Sequence, residues 1–318
     1  IEEPEAHLHP HLQRLIYRNY LQTRDDAQAG PGPRSILLTT HSPNVASVAP
    51  LANVVVLRQI ADEGHTVGRS LKGIKLDTSD REDLERYIDV TRGELFFSKG
   101  VILVEGDAEK FLLPTLAKLY DESLDFDAMG ITVCSIAGTN FAPYVQLLGP
   151  KGLDIPFVVL TDFDPKKEDA SQEDADPDDA GVTDSYGKNR VVNQIMQHLL
   201  DEEVWEETNY AEVLKLAPHY GVFLNEFTFE IDVFKAGAED HFLAAIKGLT
   251  TNKKMHARFA SLATDPDSLD PSQFLKDIDS IGKGRMAQRL AAVLMKEDVD
   301  VCPEYIESAL NYLKAKLG

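Results

Sequence analysis

Short apolar runs alternate with helix-spaced segments along the middle of the chain. VILV (101–104), ITVCSI (131–136), PFVVLT (156–161) and GVFL (221–224) are rich in β-branched and aromatic residues and predict strands. Helical spacing follows at 108–120, about 140–148, 186–201 and 210–217, and residues 239–317 are mostly helical in pattern. Apolar strands separated by helices predict a parallel sheet covered on both faces. Ahead of this region, HLQRLIYRNYLQTR (11–24) carries Leu12, Leu15, Ile16 and Tyr20 at helical spacing, and QAGPGP (28–33) reads as a loop. SILLTT (35–40) and NVVVLR (53–58) read as strands, and the polar stretch 61–80 as a linker that can hold a hairpin. A helix is expected over 81–97, with Leu84, Ile88, Leu95 and Phe96 on its apolar side. No internal repeat is visible.

Composition sets the class. A length of 318 residues suggests about two domains. At 43% hydrophobic and 27% charged, cores of ordinary size can form. No apolar run approaches the ~20 residues that span a bilayer, and IEEPEAHLHP lacks a signal-peptide pattern. The two cysteines, Cys134 and Cys302, exclude a disulfide framework and suit a reducing, cytoplasmic location. Cys134 sits in an apolar run and reads as a small core residue. The net charge of −21 argues against phosphate contacts when taken alone. Bound divalent cations, however, invert the local field. Much of the excess lies in one aperiodic tract, 164–184 (DPKKEDASQEDADPDDAGVTD), which reads as a solvated loop.

The candidate chemistry lies at strand ends. In open parallel sheets, ligands bind beyond the carboxyl ends of the strands. The first strand of the alternating region delivers Glu105, with Glu109 four residues on in the first turn of a helix starting near Asp107. The third delivers Asp162 and Asp164, and the last Thr228 and Glu230. In extended chain, residues i and i+2 point to one side, so each pair can share a target. Clustered carboxylates repel and are costly to desolvate unless a cation or protons compensate. Oxygen-only ligands suit Mg²⁺, Mn²⁺ or Ca²⁺ rather than zinc. Five acids can hold two ions about 4 Å apart, the spacing that clamps attacking and leaving oxygens in phosphodiester hydrolysis. His7, His9 and His11 alternate, but in AHLHPHL they read as interface or capping residues. Phe223, Phe227 and Phe229 bracket the last acidic element and read as core.

VILVEGDAE and VVLTDFD, with CSIAGTNFAPYVQLL between them, resemble the Toprim (topoisomerase–primase) domain. More specifically, EGxxE from Glu105 to Glu109, FTFE with Thr228 and Glu230, and GKGRMA with Lys283 resemble the OLD (overcoming lysogenization defect) family of nucleases. That resemblance implies Mg²⁺- or Mn²⁺-dependent nicking and cleavage of DNA by a two-metal mechanism, in phage defence or DNA processing. Glu105, Glu109, Asp162, Asp164, Thr228 and Glu230 would be the metal set, and Glu105, Asp162 and Lys283 the catalytic residues. Lys283 would stabilise the transition state or orient the attacking water as a fixed charge. The family joins an ABC-type ATPase to this nuclease. IEEPEAHLHP resembles the end of a Walker B strand and a D-loop, and LLTTHSPNVAS a switch-histidine strand. By that resemblance Glu2 is Mg²⁺-associated, Glu3 the catalytic base and His41 the γ-phosphate sensor.

No GxxxxGK[ST] phosphate loop or LSGG-like signature is present. The chain therefore reads as the C-terminal part of a longer protein, with ATP bound only by the whole. Dimerisation is expected from the ATPase relatives, although much of that surface is missing. The expected organisation is an incomplete ATPase segment (1–75), a linker helix (76–97), an α/β Toprim core (98–235) with a helical insertion at about 186–218, and a helical region (236–318) carrying Lys283. Lys99, Lys151, Lys188, Arg190 and the 253–258 stretch are candidate DNA contacts. Three rival readings stand beside this one. A haloacid-dehalogenase-like phosphatase would use the Asp-x-Asp strand end, but Pro165-Lys166-Lys167 follows it and Glu105 and Glu109 are left unexplained. A non-catalytic ATPase-associated module would make the acids structural. A Toprim topoisomerase or primase lacks its tyrosine or zinc accompaniment here.

Overall fold

The computed structural model describes residues 1–26, 35–60, 64–88, 92–166 and 184–318. The expected loop at 28–33 and most of the acidic tract lie outside them. The chain divides into two compact units, one of residues 1–99 with 142–155 and one of 100–141 with 156–318.

In the first unit, Pro10–Asp26 is the expected helix. The stretch 35–40 forms no strand. A single parallel bridge joins Thr39 to Glu2, and one bridge cannot propagate a ladder. Residues 53–58 do supply a strand, β1 (Val55–Ile60), paired antiparallel with β2 (His65–Ser70) in the hairpin allowed for in the polar stretch. The helix expected over 81–97 runs instead from Thr78 to Tyr87, capped by the Asp77 side chain on the Asp80 amide. Leu95 and Phe96 sit in a separate 3₁₀ stretch, Arg92–Phe97, and both are buried. An apolar periodicity thus continued across a helix end.

The second unit holds a four-stranded parallel sheet. β3 (Gly100–Val104), β4 (Ile131–Ser135), β5 (Phe157–Thr161) and β6 (Val222–Leu224) lie in the order β4-β3-β5-β6. Every residue of β3 and β5 is buried, as continuous apolar runs in a parallel sheet require. β3 pairs with both neighbours, Leu103 lying level with Cys134 on one side and Val159 on the other. The carboxyl ends of the two central strands therefore emerge side by side.

The helices that follow make one continuous core with the sheet. Asp107–Tyr120 packs on Lys283–Glu297, and Glu304–Leu317 docks on β5 and β6, where Tyr312 meets Phe223 edge-on at 6.1 Å. Beside the sheet, Phe234, Phe242, Phe259 and Phe274 form an aromatic cluster, with Phe274 ring centres 5.1, 5.8 and 5.2 Å from the other three. Among the described residues no helix is long and apolar enough to cross a membrane. Phe274→Ala is expected to cost about 3–5 kcal/mol, the usual loss for a buried ring that leaves a cavity. Urea unfolding checks this, and a loss below about 1 kcal/mol would show that the cluster collapses to fill the gap.

Candidate active site

The site is assembled where β3 and β5 end. After β3 the chain turns at Gly106 into the helix Asp107–Tyr120, which places Glu109 in its first turn as the spacing predicts. After β5 it continues through Asp162 and Phe163 to Asp164, whose φ of 49° lies in the left-handed region. The extended i, i+2 arrangement expected there does not hold, and the two aspartates face different partners. Nor does β6 reach Thr228. It stops at Leu224, Thr228 is the extended N-cap of the helix Phe229–Val233, and Glu230 lies in that helix's first turn. Lys283 opens the helix Lys283–Glu297, directly after Gly282 at φ 97° and ψ 118°. That backbone conformation disfavours any side chain, and through it the chain changes direction between two helices and delivers the lysine.

Arg190 organises the acids, and it was only one of several candidate DNA contacts in the sequence. It is 7% exposed and starts a π-helical stretch, Arg190–Met196, that interrupts the expected 186–201 helix. Its Nη1 donates to Glu105 Oε1 at 2.6 Å, to Thr161 Oγ1 at 2.6 Å and to the Asp162 carbonyl at 3.3 Å. Nη2 donates to Asp164 Oδ2 at 2.9 Å. Gly187, one turn earlier, makes this approach feasible: a Cβ there would lie 2.0 Å from the Asp162 carbonyl oxygen. Nothing in local periodicity marks either residue. A glycine followed three residues later by arginine, in the first helix after the acidic tract, is the signal available.

Glu105, Asp162, Asp164 and Glu230 each tie one oxygen to the scaffold. Glu105 Oε1 accepts from Arg190, from the Thr161 hydroxyl at 2.6 Å and from the Asp162 amide at 2.9 Å. Asp162 Oδ1 accepts from Asn225 Nδ2 at 2.6 Å and from the Phe229 amide at 2.9 Å. Asn225 in turn accepts from the Phe163 amide at 2.7 Å. Glu230 Oε1 pairs with Lys283 Nζ at 3.2 Å, while its Oε2 is buried with no hydrogen-bond partner, as is the Thr228 hydroxyl. Asn225 is not marked by the sequence, and Arg190 is marked there only as a candidate DNA contact.

The electrostatics show negative charge in excess. Burial pushes the Glu109 carboxyl up to about 7, with Glu230 and Glu105 adding repulsion. Burial followed by Glu105, Glu109, Glu230 and Asp164 holds Asp162 well above the usual carboxylate range. Burial also raises Glu105, against the opposing pull of Arg190 and its hydrogen bonds to Thr161 and Asp162. At Lys283 burial works against the ammonium, but Glu230, Asp162 and Asp279 together outweigh it and raise its pKa. Tyr305, on the C-terminal helix, is raised by burial and by the charges of Asp162, Asp232 and Glu109.

Among the described residues no three His, Cys, Asp or Glu side chains close on a single point as a ready metal cage. The donor set nevertheless suits a hard divalent cation: it is all oxygen, it carries unspent negative charge, and it leaves Glu230 Oε2 and Thr228 Oγ1 buried without partners. Glu105, Glu109, Asp162, Asp164, Thr228 and Glu230 are the residues that could hold such ions.

The ATPase-like residues lie in the first unit. His41 Nε2 is 3.5 Å from Glu3 Oε1, and both side chains are exposed. Glu2 bridges Thr39, and the buried Glu5 carboxylate accepts from the Thr40 hydroxyl and the His41 amide. Among the three alternating histidines, the His9 ring accepts from the His11 amide at 3.3 Å, a local capping contact.

Two outcomes follow from this geometry. Arg190→Ala leaves Glu105 and Asp164 facing each other without their shared cation and is expected to cost about 3–5 kcal/mol. Arg190→Lys should recover only part of this, because an ammonium cannot span the fork. Urea unfolding of both variants decides it, and wild-type stability in Arg190→Ala would refute the clamp. The second concerns pH. A carboxylate raised to about 7 binds its proton more tightly folded than unfolded, so its contribution is present below the unfolded value and lost as pH rises through about 7. In EDTA the melting temperature should therefore fall between pH 5.5 and pH 8, by the equivalent of about 2 kcal/mol. Glu109→Gln should flatten the fall, and a melting temperature that climbs over this interval would contradict the account.

Known proteins resemble this chain. Residues 96–164 match the model of the overcoming lysogenization defect protein-like TOPRIM domain, and residues 1–47 that of an AAA domain described as putative AbiEii toxin, type IV TA system. Endonuclease GajA of Bacillus cereus is 25% identical over all of this chain and 48% of its own length. The OLD nuclease of Thermus scotoductus is 34% identical over 54% of this chain and 32% of its own. The chain thus spans about half the length, or less, of these curated relatives. The solved C-terminal region of the Burkholderia pseudomallei OLD protein is 37% identical, with a TM-score of 0.60 over 70% of this chain and 100% of that one. The corresponding Xanthomonas campestris region is 38% identical, with a TM-score of 0.56 over 70% and 96%. With the Burkholderia pseudomallei OLD region matched along its whole length at 37% identity, the chain belongs to the OLD family.

Proposed function

We propose that this chain carries the catalytic centre of a metal-dependent DNA endonuclease that nicks and cleaves phosphodiester bonds with two Mg²⁺ or Mn²⁺ ions. The observation that carries this reading is the division of labour within the acids. Glu105, Asp162, Asp164 and Glu230 each hand one oxygen to a protein donor and keep the other for a further partner. Divalent ions on those oxygens would supply Lewis-acid charge to the attacking and leaving oxygens. The protein's own part is to hold the acids apart at fixed positions, through Arg190, Asn225 and the Phe229 amide. Lys283 remains an ammonium, since its proton is held more tightly than in a free lysine, and so offers a fixed charge to a phosphate. The approach of Glu3 to His41 supports an ATPase role for the first unit, exercised with the remainder of an ATPase domain and with the dimerisation such domains use.

Asp162→Asn and Lys283→Met are each expected to lower Mn²⁺-dependent nicking of supercoiled plasmid by about 100-fold or more, the scale of losing one electrostatic stabiliser, with unchanged far-UV circular dichroism. Gel conversion of supercoiled to open-circular DNA measures it, with a small phosphomonoester assayed in parallel. Full nicking by Asp162→Asn, or turnover of the phosphomonoester in place of plasmid, would overturn the assignment.

A further inference from the structure

A cleft of about 560 Å³ opens directly beside the carboxylates, within the range of about 300–1,000 Å³ typical of ligand sites. It shares three residues with the acidic centre: Asp164, Arg190 and Thr228. Its remaining wall has a different character. Tyr186, Phe227 and Leu275 give it apolar surface, and Asn189 and Gln194 add amides. Tyr186 is 40% exposed, so its ring can be reached from the cleft. The Lys166 ammonium stands 5.5 Å from the centre of that ring. Thr228, only 6% exposed, has a hydroxyl without a hydrogen-bond partner.

We infer that this cleft receives an unstacked nucleobase of the nucleic acid whose phosphate lies at the carboxylates. The inference rests on the nuclease reading above. If a phosphodiester occupies the acids, the group beside it is a nucleoside. A base paired and stacked in a duplex cannot present its face to Tyr186 or Phe227, so an occupant that uses these rings must leave the stack. Aromatic rings offer a sequence-tolerant platform, since every base has a π-face, and the amides of Asn189 and Gln194 can meet a base edge. The net charge of −21 makes such a platform more useful, because general attraction for phosphate is weak over this protein. The cleft thus selects single-stranded, frayed or distorted positions over continuous duplex.

The test compares two fluorescein-labelled octamers in Ca²⁺ by anisotropy: eight thymidines, and the same backbone with abasic tetrahydrofuran units. The thymidine octamer should bind about tenfold more tightly, the effect of roughly one base–aromatic stack. Tyr186→Ala should erase that preference, and Tyr186→Phe should keep it. An octamer carrying 5-iododeoxyuridine should photocrosslink to Tyr186 or Phe227, as mapped by mass spectrometry. Equal affinity for the two octamers, binding of neither, or a preference that survives both Tyr186→Ala and Phe227→Ala with crosslinks elsewhere overturns the inference. Plasmid nicking by the wild-type protein separates the two ideas. Nicking without base preference removes only the cleft's role, whereas no nicking removes the nuclease reading as well.

Discussion

Repulsion among desolvated carboxylates is the constraint on which the second unit turns. Glu105, Glu109, Asp162, Asp164 and Glu230 come from three separate stretches, and burial raises the cost of each charge placed near another. Such a cluster persists only where positive charge and hydrogen-bond donors are supplied at fixed positions. Arg190 supplies them to Glu105 and Asp164, Lys283 to Glu230, and Asn225 with the Phe229 amide to Asp162. Charge is thereby reduced but not cancelled, as the raised Glu109 and Asp162 show.

The fold serves this arrangement. Placing β3 and β5 next to each other brings Glu105 and Asp162 together through main-chain register alone. The helix Asp107–Tyr120 carries Glu109 from one strand end, and its packing against Lys283–Glu297 anchors the helix that Lys283 opens. Gly187 lets the Arg190 segment approach the strand end to a distance no other residue would permit. Stability and chemistry share elements here. Buried helix packing determines where the acidic side chains stand, while the aromatic cluster around Phe274 steadies the helical part from outside the site.

The same centre has two neighbourhoods with different roles. Toward the core, Asn225 and the Phe229 amide hold Asp162. Toward solvent, Tyr186, Phe227 and the 560 Å³ cleft give an aromatic approach surface that shares Arg190 and Thr228 with the acids. An overall acidic protein can act on a polyanion if its recognition is concentrated at such a point rather than spread over a basic face.

The sequence by itself determined the parallel α/β core, the strand ends at Glu105 and Asp162, the helical start at Glu109 and the resemblance to the OLD family, because apolar periodicity and short motifs are local properties of a chain. It misread 35–40 as a strand, since a ladder needs a partner that local pattern does not reveal, and it joined Leu84 to Phe96 in one helix because buried faces can continue across a break. It also placed Asp162 with Asp164 and Thr228 with Glu230 by extended-chain alternation, which a left-handed turn and a helix cap replaced. Only the tertiary structure decided that Arg190 is the clamp, that Gly187 admits it, and that Asn225 holds Asp162. Those roles arise from contacts between segments remote in the chain, and side-chain identity carries no record of what will be packed against it.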